Sequence, residues 1–352
     1  MKHPFLMISI LLFTFQSCST HNDTESESPQ QDTARWSPIT ITGNLDPQSF
    51  KTIPAGNYSG ITPLGNNRYA VVTDQSTHDG FYIFDLSIDP ATGKITDAQN
   101  EGYISNSDND RDNEGIVYVP STNTIMISSE NENQIVEYTI AGARTGRSFN
   151  IPAVFQTASS TYGFESLAYS SITHTFWTTT ESTLSTDGIQ ADPTNKVCNQ
   201  LRIQSFGEGL QPLQQYAYQM DMPKSTTSAY IYAMGVSDIL ALDDGRLIIL
   251  EREFYVPENK WGAFVCCKLY LVNPQVSIPV STSVPLSAAS PFMSKTLLTE
   301  INTTLSSGIA NYEGICLGPK LANGDRTLIL CSDSQNQYYG ILQDYFKVIT
   351  FR

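Results

Sequence analysis

The sequence predicts an all-β protein folded as a β-propeller of six blades, and three observations carry that prediction. One pattern recurs along the chain: an acid and a glycine, an apolar strand, a polar turn, a second apolar strand, and a closing acid. Five copies are visible, about every 50 to 75 residues, the size of a four-stranded blade with its loops. Apolar residues alternate in short runs broken by Gly, Pro, Asn and Asp, with almost no helical periodicity. N-terminal and linking strands are expected to supply the sixth blade.

In chain order, residues 36–50, around Ile39 and Ile41, read as a strand that completes a blade begun by the C-terminus. Such an exchange closes the ring and removes sheet edges. The first copy, residues 58–74, opens on Ser59-Gly60, turns at Gly65-Asn66-Asn67 and closes on Asp74. Its outer strands flank a turn at 89–94. The second, residues 113–130, runs from Glu114-Gly115 through a Pro120-Ser121 turn to Glu130, with a third strand at 134–140. The third, residues 164–181, runs from Glu165 through Phe176-Trp177 to Glu181, before a Ser/Thr/Asp-rich insertion at 182–196. Residues 214–222 alternate as a further strand. The fourth, residues 236–251, opens on Ser237-Asp238 and closes on Glu251. Residues 274–291 read as a long surface connection, and residues 294–305 carry a faintly helical pattern. The last, residues 312–333, runs from Glu313-Gly314 to Asp333 and precedes a terminal strand at 345–351.

A hairpin puts the start of its first strand and the end of its second at the same open end. Opening and closing acids therefore share one face, and a ring of such hairpins crowds carboxylates into one mouth. Like charges in that position repel, so a cation is the expected reward. Asp74, Glu114, Glu130, Glu181, Glu313 and Asp333 read as its ligands. The run Asp108-Asn109-Asp110-Arg111-Asp112 is a further oxygen-rich loop, without the full spacing of a calcium-binding hand. The alternative is structural: acids that cap strand ends and accept backbone N–H bonds.

The formal net charge of −15 over 352 residues argues against nucleic-acid backbones and anionic lipid surfaces. Cations, neutral ligands and anions approached through a metal remain. Residues 1–18 have the three parts of an export signal, and the apolar run is too short to span a bilayer. Ending in Cys18, they resemble a bacterial lipoprotein signal, which implies lipidation there and an outer-membrane location, periplasmic or surface-facing. Residues 19–35 read as a flexible tether, and residues 36–352 as a single, monomeric propeller domain. Export permits disulfides. Cys316 could pair with Cys331, and Cys198 with Cys266 or Cys267; ordinary buried thiols are the equal alternative.

The repeated acid-Gly openings, Leu250-Glu251-Arg252 after a Gly-Arg turn, and the closing Leu330-Cys331-Ser332-Asp333 resemble the phytase-like propellers called "esterase-like activity of phytase". The resemblance covers roughly residues 58–352. It implies a propeller related to calcium-dependent phytases and a small-molecule phosphate or ester substrate. Two departures bear on it: Ser59 and Ser237 stand where other copies open with an acid, and basic residues near the acids are few. In such a site a cation assists hydrolysis, Glu165 and Glu251 are the candidate catalytic carboxylates, and Arg252 stabilises charge developing on the substrate. Strand alternation sends Glu251 and Arg252 to opposite faces unless a bulge intervenes. A serine esterase fits poorly, because no G-x-S-x-G elbow is present and His78 and His174 fall in polar loops. A non-catalytic binding propeller and a lactonase-like calcium propeller are the rival readings.

Overall fold

The computed structural model describes residues 36–74, 76–107, 111–159 and 161–352. The export signal with Cys18, the tether at 19–35 and the loop residues 108–110 lie outside the described residues. Among those described, twenty strands make five four-stranded antiparallel sheets.

Blade one is β2 (Tyr58–Gly65), β3 (Arg68–Thr73), β4 (Asp79–Ile88) and β5 (Ile95–Ser107). Blade two is β6 (Asn113–Val119), β7 (Thr124–Ser129), β8 (Gln134–Thr139) and β9 (Arg144–Ser148). Blade three is β10 (Ala168–Ser170), β11 (Thr175–Thr178), β12 (Gln200–Gly207) and β13 (Pro212–Gln219). Blade four is β14 (Ala229–Ala241), β15 (Leu247–Pro257), β16 (Phe264–Val272) and β17 (Lys295–Thr304). Blade five is β18 (Asn311–Leu317), β19 (Arg326–Asp333), β20 (Phe346–Phe351) and, on its outside, β1 (Ile41–Asn44). The innermost strands touch in the order β2, β6, β10, β14, β18 and back to β2, so the ring is closed.

The apolar alternation pays off between blades. Leu250, Leu269 and Ile301 of blade four pack on Tyr312 and Leu330 of blade five. Tyr58 and Phe84 of blade one pack on Cys316 and Phe346 of blade five. Burying each such side chain contributes about 2 kcal/mol. Strands with apolar residues on both faces, such as Leu247-Ile248-Ile249-Leu250, are wholly buried because each has a sheet on either side.

Two expectations need correction, the blade count and the helical pattern at 294–305. The ring has five blades, not six. The N-terminal strand β1 is spent completing blade five by pairing with β20, and the strand expected at 214–222 is β13, the outer strand of blade three. The segment at 294–305 is not helical; it forms β17, which satisfies the outer edge of β16. The long connection at 274–291 is as expected, held down by Arg202. Its guanidinium donates to Ser281 O at 3.0 Å and Val284 O at 2.8 Å while Asp187 balances its charge. All five described cysteines are free thiols. Cys331 lies across from Gly314 and Cys316 from Ile329, so that pair is two residues out of register. His174, in its turn, pairs with Glu208.

Candidate functional site

The register at one end of the ring repeats from blade to blade. Asp74 lies across from Asn57, Glu130 from Asp112, Glu181 from Gly163, Arg252 from Gly235 and Asp333 from Asn311. Two residues beyond each of Asn57, Asp112, Gly163, Gly235 and Asn311 comes the opening position: Ser59, Glu114, Glu165, Ser237 and Glu313. In blades one, two, four and five that position falls in a β-bulge, between Tyr58 and Ile61, Asn113 and Ile116, Val236 and Asp238, and Tyr312 and Gly314. A bulge adds one residue to one strand and re-aims its side chain. Close approach of the inner strands then brings the bulged residues together. A Cβ at Gly115 would lie 2.5 Å from Leu167 N of blade three, and one at Gly314 2.2 Å from Ser59 O of blade one. Only glycine allows that approach. Blade four has Asp238 instead, whose buried carboxylate accepts from Ile239 N and Ile315 N, each at 2.8 Å, and from Leu167 N. It staples blades three, four and five.

The outcome is a crowd of carboxylates, half of them buried and half partly so. Among the described residues, Asp74, Asp112 and Glu114 each bring an oxygen within 4.8 Å of the others, and Glu130, Glu165 and Glu181 do the same. Loss of water is the first cause of every pKa shift here, and neighbouring acids add to it. Burial, then hydrogen bonding to Asp112, pushes Asp74 up to about 10. Burial, then Asp74, holds Glu114 well above the carboxylate range; burial, then Glu114, does so for Glu165. Glu130 is pushed up to about 7 by burial, against a 2.8 Å bond from Gly163 N–H to its Oε1. Burial pushes Glu313 up to about 8 although Arg252 opposes it.

Arg252 is the guanidinium within this crowd, donating from Nη2 to Glu181 and from Nη1 to Glu313. The blades' acids are therefore partly neutralised across a blade boundary. Asp333 is satisfied by neutral donors, Gln335 N at 2.7 Å and Asn311 Nδ2 at 3.3 Å. Glu251 does not join the site. It turns to the other face of β15, where Lys295 Nζ and the Tyr218 hydroxyl each donate to it at 2.6 Å. In the register it occupies the place of Thr73, Ser129 and Ser332, while Arg252 stands where other blades close with an acid. In the sequence Asp112 reads only as part of the oxygen-rich loop at 108–112, not as a ligand of the ring. It could have been found by counting back two residues from each opening position. Arg111 beside it turns away, to the Tyr138 hydroxyl at 2.7 Å and Glu132 at 2.8 Å, and Arg144 pairs with Asp79.

The donors are all oxygen, the set preferred by hard cations such as calcium. Asn57, across from Asp74, adds an amide Oδ1 that is buried without a partner. A buried acceptor with no donor among the described residues, beside anionic neighbours, fits a cation.

A family model described as phytase-like, esterase-like activity of phytase, matches residues 53–335. The chain belongs to this phytase-like family. No curated protein sequence matches it. Among solved structures, the phytase-like domain is similar to a streptogramin B lyase, at 11% identity and a TM-score of 0.35 over 89% of this chain and 98% of that one. It is also similar to an endo-arabinase from Bacteroides thetaiotaomicron, at 13% identity and a TM-score of 0.46 over 89% and 97%. At these identities and scores neither likeness speaks to the chemistry of the phytase-like site.

Proposed function

We propose that the carboxylate mouth binds calcium and that the domain hydrolyses phosphate or carboxylic esters there. One observation carries the reading: two partly buried triads of carboxylates lie together with one guanidinium, Arg252, which pairs with Glu181 and Glu313, and burial of so much like charge requires cations or protons. Asp74, Asp112 and Glu114, with Asn57 Oδ1 nearby, are the residues to hold a cation. Bound calcium would polarise a phosphoryl or carbonyl oxygen and acidify a water. Glu130 is the residue to take the water's proton. It is only partly buried, its pKa of about 7 suits a base at neutral pH, and the Gly163 N–H fixes its Oε1. Glu165 belongs to the second triad, with Glu114 of the first as its strongest charged neighbour, and so couples the two. Arg252 keeps its place through Glu181 and Glu313 and offers positive charge to the substrate.

A lactonase-like reaction on a neutral ester is the second reading. It is favoured by the scarcity of cations, since Arg111 and Arg144 are taken up by Glu132 and Asp79. Residues 1–18 support export of the domain as a lipoprotein anchored through Cys18, which intact-mass measurement of the envelope-purified protein would test.

Calorimetric titration of calcium into residues 36–352 tests the site. Binding should weaken in Glu114→Gln and Glu165→Gln; unchanged affinity in both removes the metal from these positions. Hydrolysis of p-nitrophenyl phosphate and p-nitrophenyl acetate, with and without chelator, tests the chemistry. Turnover of neither leaves a calcium-binding propeller that captures a ligand.

A further inference from the structure

Between blades four and five, against the carboxylate mouth, lies a cavity of about 500 Å³. Its existence follows from one local difference. β14 and β15 are 13 and 11 residues long, while the matching strands β6 and β7 have 7 and 6. The extra length falls before Gly235 and after Arg252, so the hairpin rises past the mouth and walls one side. The opposite wall comes from the segment after β19. There Gln335, Asn336, Gln337 and Tyr339 all take left-handed φ values, from 49° to 57°, which side-chain-bearing residues seldom adopt. Strained backbone of this kind clusters at ligand clamps and active sites.

The cavity is apolar and aromatic above and charged below. Phe254, Leu342 and Ile309 line it, Tyr230 and Tyr339 stand exposed at its rim, and Arg252 with Asn311 reaches it from the mouth. Arg252 is nine-tenths buried, and its Nε has no partner although both terminal nitrogens are engaged. Asn311 touches Arg252 at 3.3 Å and Glu313 at 2.8 Å, so cavity and carboxylate mouth are contiguous through two side chains. A lining guanidinium, an apolar wall and an adjoining carboxylate mouth describe one kind of ligand.

We propose that this cavity receives the aromatic group of an aryl ester or aryl phosphate, whose oxygen-bearing end meets Arg252 and the carboxylate mouth. The inference deepens the hydrolase reading above and names its substrate class. The volume falls within the range of sites for small organic ligands. A highly charged polyphosphate would find only Lys260 and Arg252 as cations among walls otherwise mainly of Phe, Leu, Ile and Tyr. An aromatic body finds edge and face contacts there. The excess of acid at the mouth rejects a free anion until a cation is bound, so the apolar end and the charged end require different conditions.

That difference separates the test of the cavity from the test of the mouth. Residues 36–352 are titrated with 2-naphthol in chelator, followed by naphthol fluorescence, and then with 2-naphthyl phosphate in chelator and in calcium. Inorganic phosphate in calcium is the reference. Naphthol should bind without calcium. Naphthyl phosphate in calcium should bind about ten- to a hundredfold tighter than inorganic phosphate, the equivalent of burying one aromatic side chain. Ala233→Trp, which fills the cavity from a half-buried position on β14, should abolish both effects. Tyr339→Ser, at an exposed rim position that carries no core packing, should weaken both and leave the fold intact. Naphthol affinity unmoved by both variants, or no naphthol binding at all, overturns the proposal. Naphthol binding lost in Ala233→Trp, with naphthyl phosphate indifferent to calcium, keeps the cavity and overturns the calcium mouth instead.

Discussion

In chelator, raising the pH should destabilise this domain. The carboxyls of the mouth have folded-state pKa values above their unfolded ones: Glu130 moves from 4.5 to about 7 and Glu313 from 4.5 to about 8. Between those values the native state keeps a proton that the unfolded chain has released. The unfolded state therefore binds fewer protons, and stability falls as pH rises. The stability is fully present below about pH 4.5 and is lost progressively up to about pH 7 and 8. Each such carboxyl costs about 1.4 kcal/mol per pH unit. From pH 5 to pH 7 these two alone remove about 5 kcal/mol, comparable with the whole stability of a small domain. Calcium bound at the proposed site would reverse the sign, because its binding would displace the same protons and gain affinity as pH rises. The assay is urea unfolding of residues 36–352 at pH 5, 6, 7 and 8, in chelator and again in calcium. The metal-free midpoint should fall steadily, and the calcium midpoint should hold or rise. A metal-free midpoint that stays level from pH 5 to 8 would refute the reasoning, since the mouth would then be neutralised by other means.

Three further outcomes are expected. Arg252→Met leaves Glu181 and Glu313 buried without their guanidinium; at pH 8 in chelator it should cost about 3–5 kcal/mol by urea unfolding, and no loss would mean both carboxyls are already protonated. Asp238→Asn replaces an acceptor of three backbone N–H bonds with a group that donates toward one of them. It should cost about 2 kcal/mol with calcium affinity retained, whereas lost calcium affinity at full stability would place Asp238 in the site. Glu251→Gln should leave calcium affinity within about twofold, while Glu114→Gln weakens it about tenfold or more, both by calorimetry; equal effects would mean the two faces of β15 are confused.

Much of this was legible in the residues. The repeat, its hairpin frame and the N-terminal strand completing the last blade follow from period-two alternation, turn chemistry and the need to close an edge. The gathering of Asp74, Glu114, Glu130, Glu165, Glu181 and Glu313 follows from both ends of a hairpin sharing one side. The fourth copy was misread for a definite reason. Aligned by its acid, Glu251 seems to close the hairpin, but the closing acids elsewhere follow Thr73, Ser129, Thr180 and Ser332, and no hydroxyl precedes Arg252. A shift of one residue moves a side chain to the opposite face. Nothing local fixes that choice; the pairing of Gly235 with Arg252 does.

The sequence by itself thus determined a ring of hairpins with acids at a shared end, because alternation and turns are local. Tertiary structure alone decided that five blades suffice, that Arg252 and not Glu251 enters the mouth, and that Asp112 joins it. Only there, too, does the longer β14–β15 hairpin meet the segment after β19 to enclose an apolar cavity. Each of these depends on register and contact between strands far apart in the chain, and no single stretch of residues encodes such a pairing.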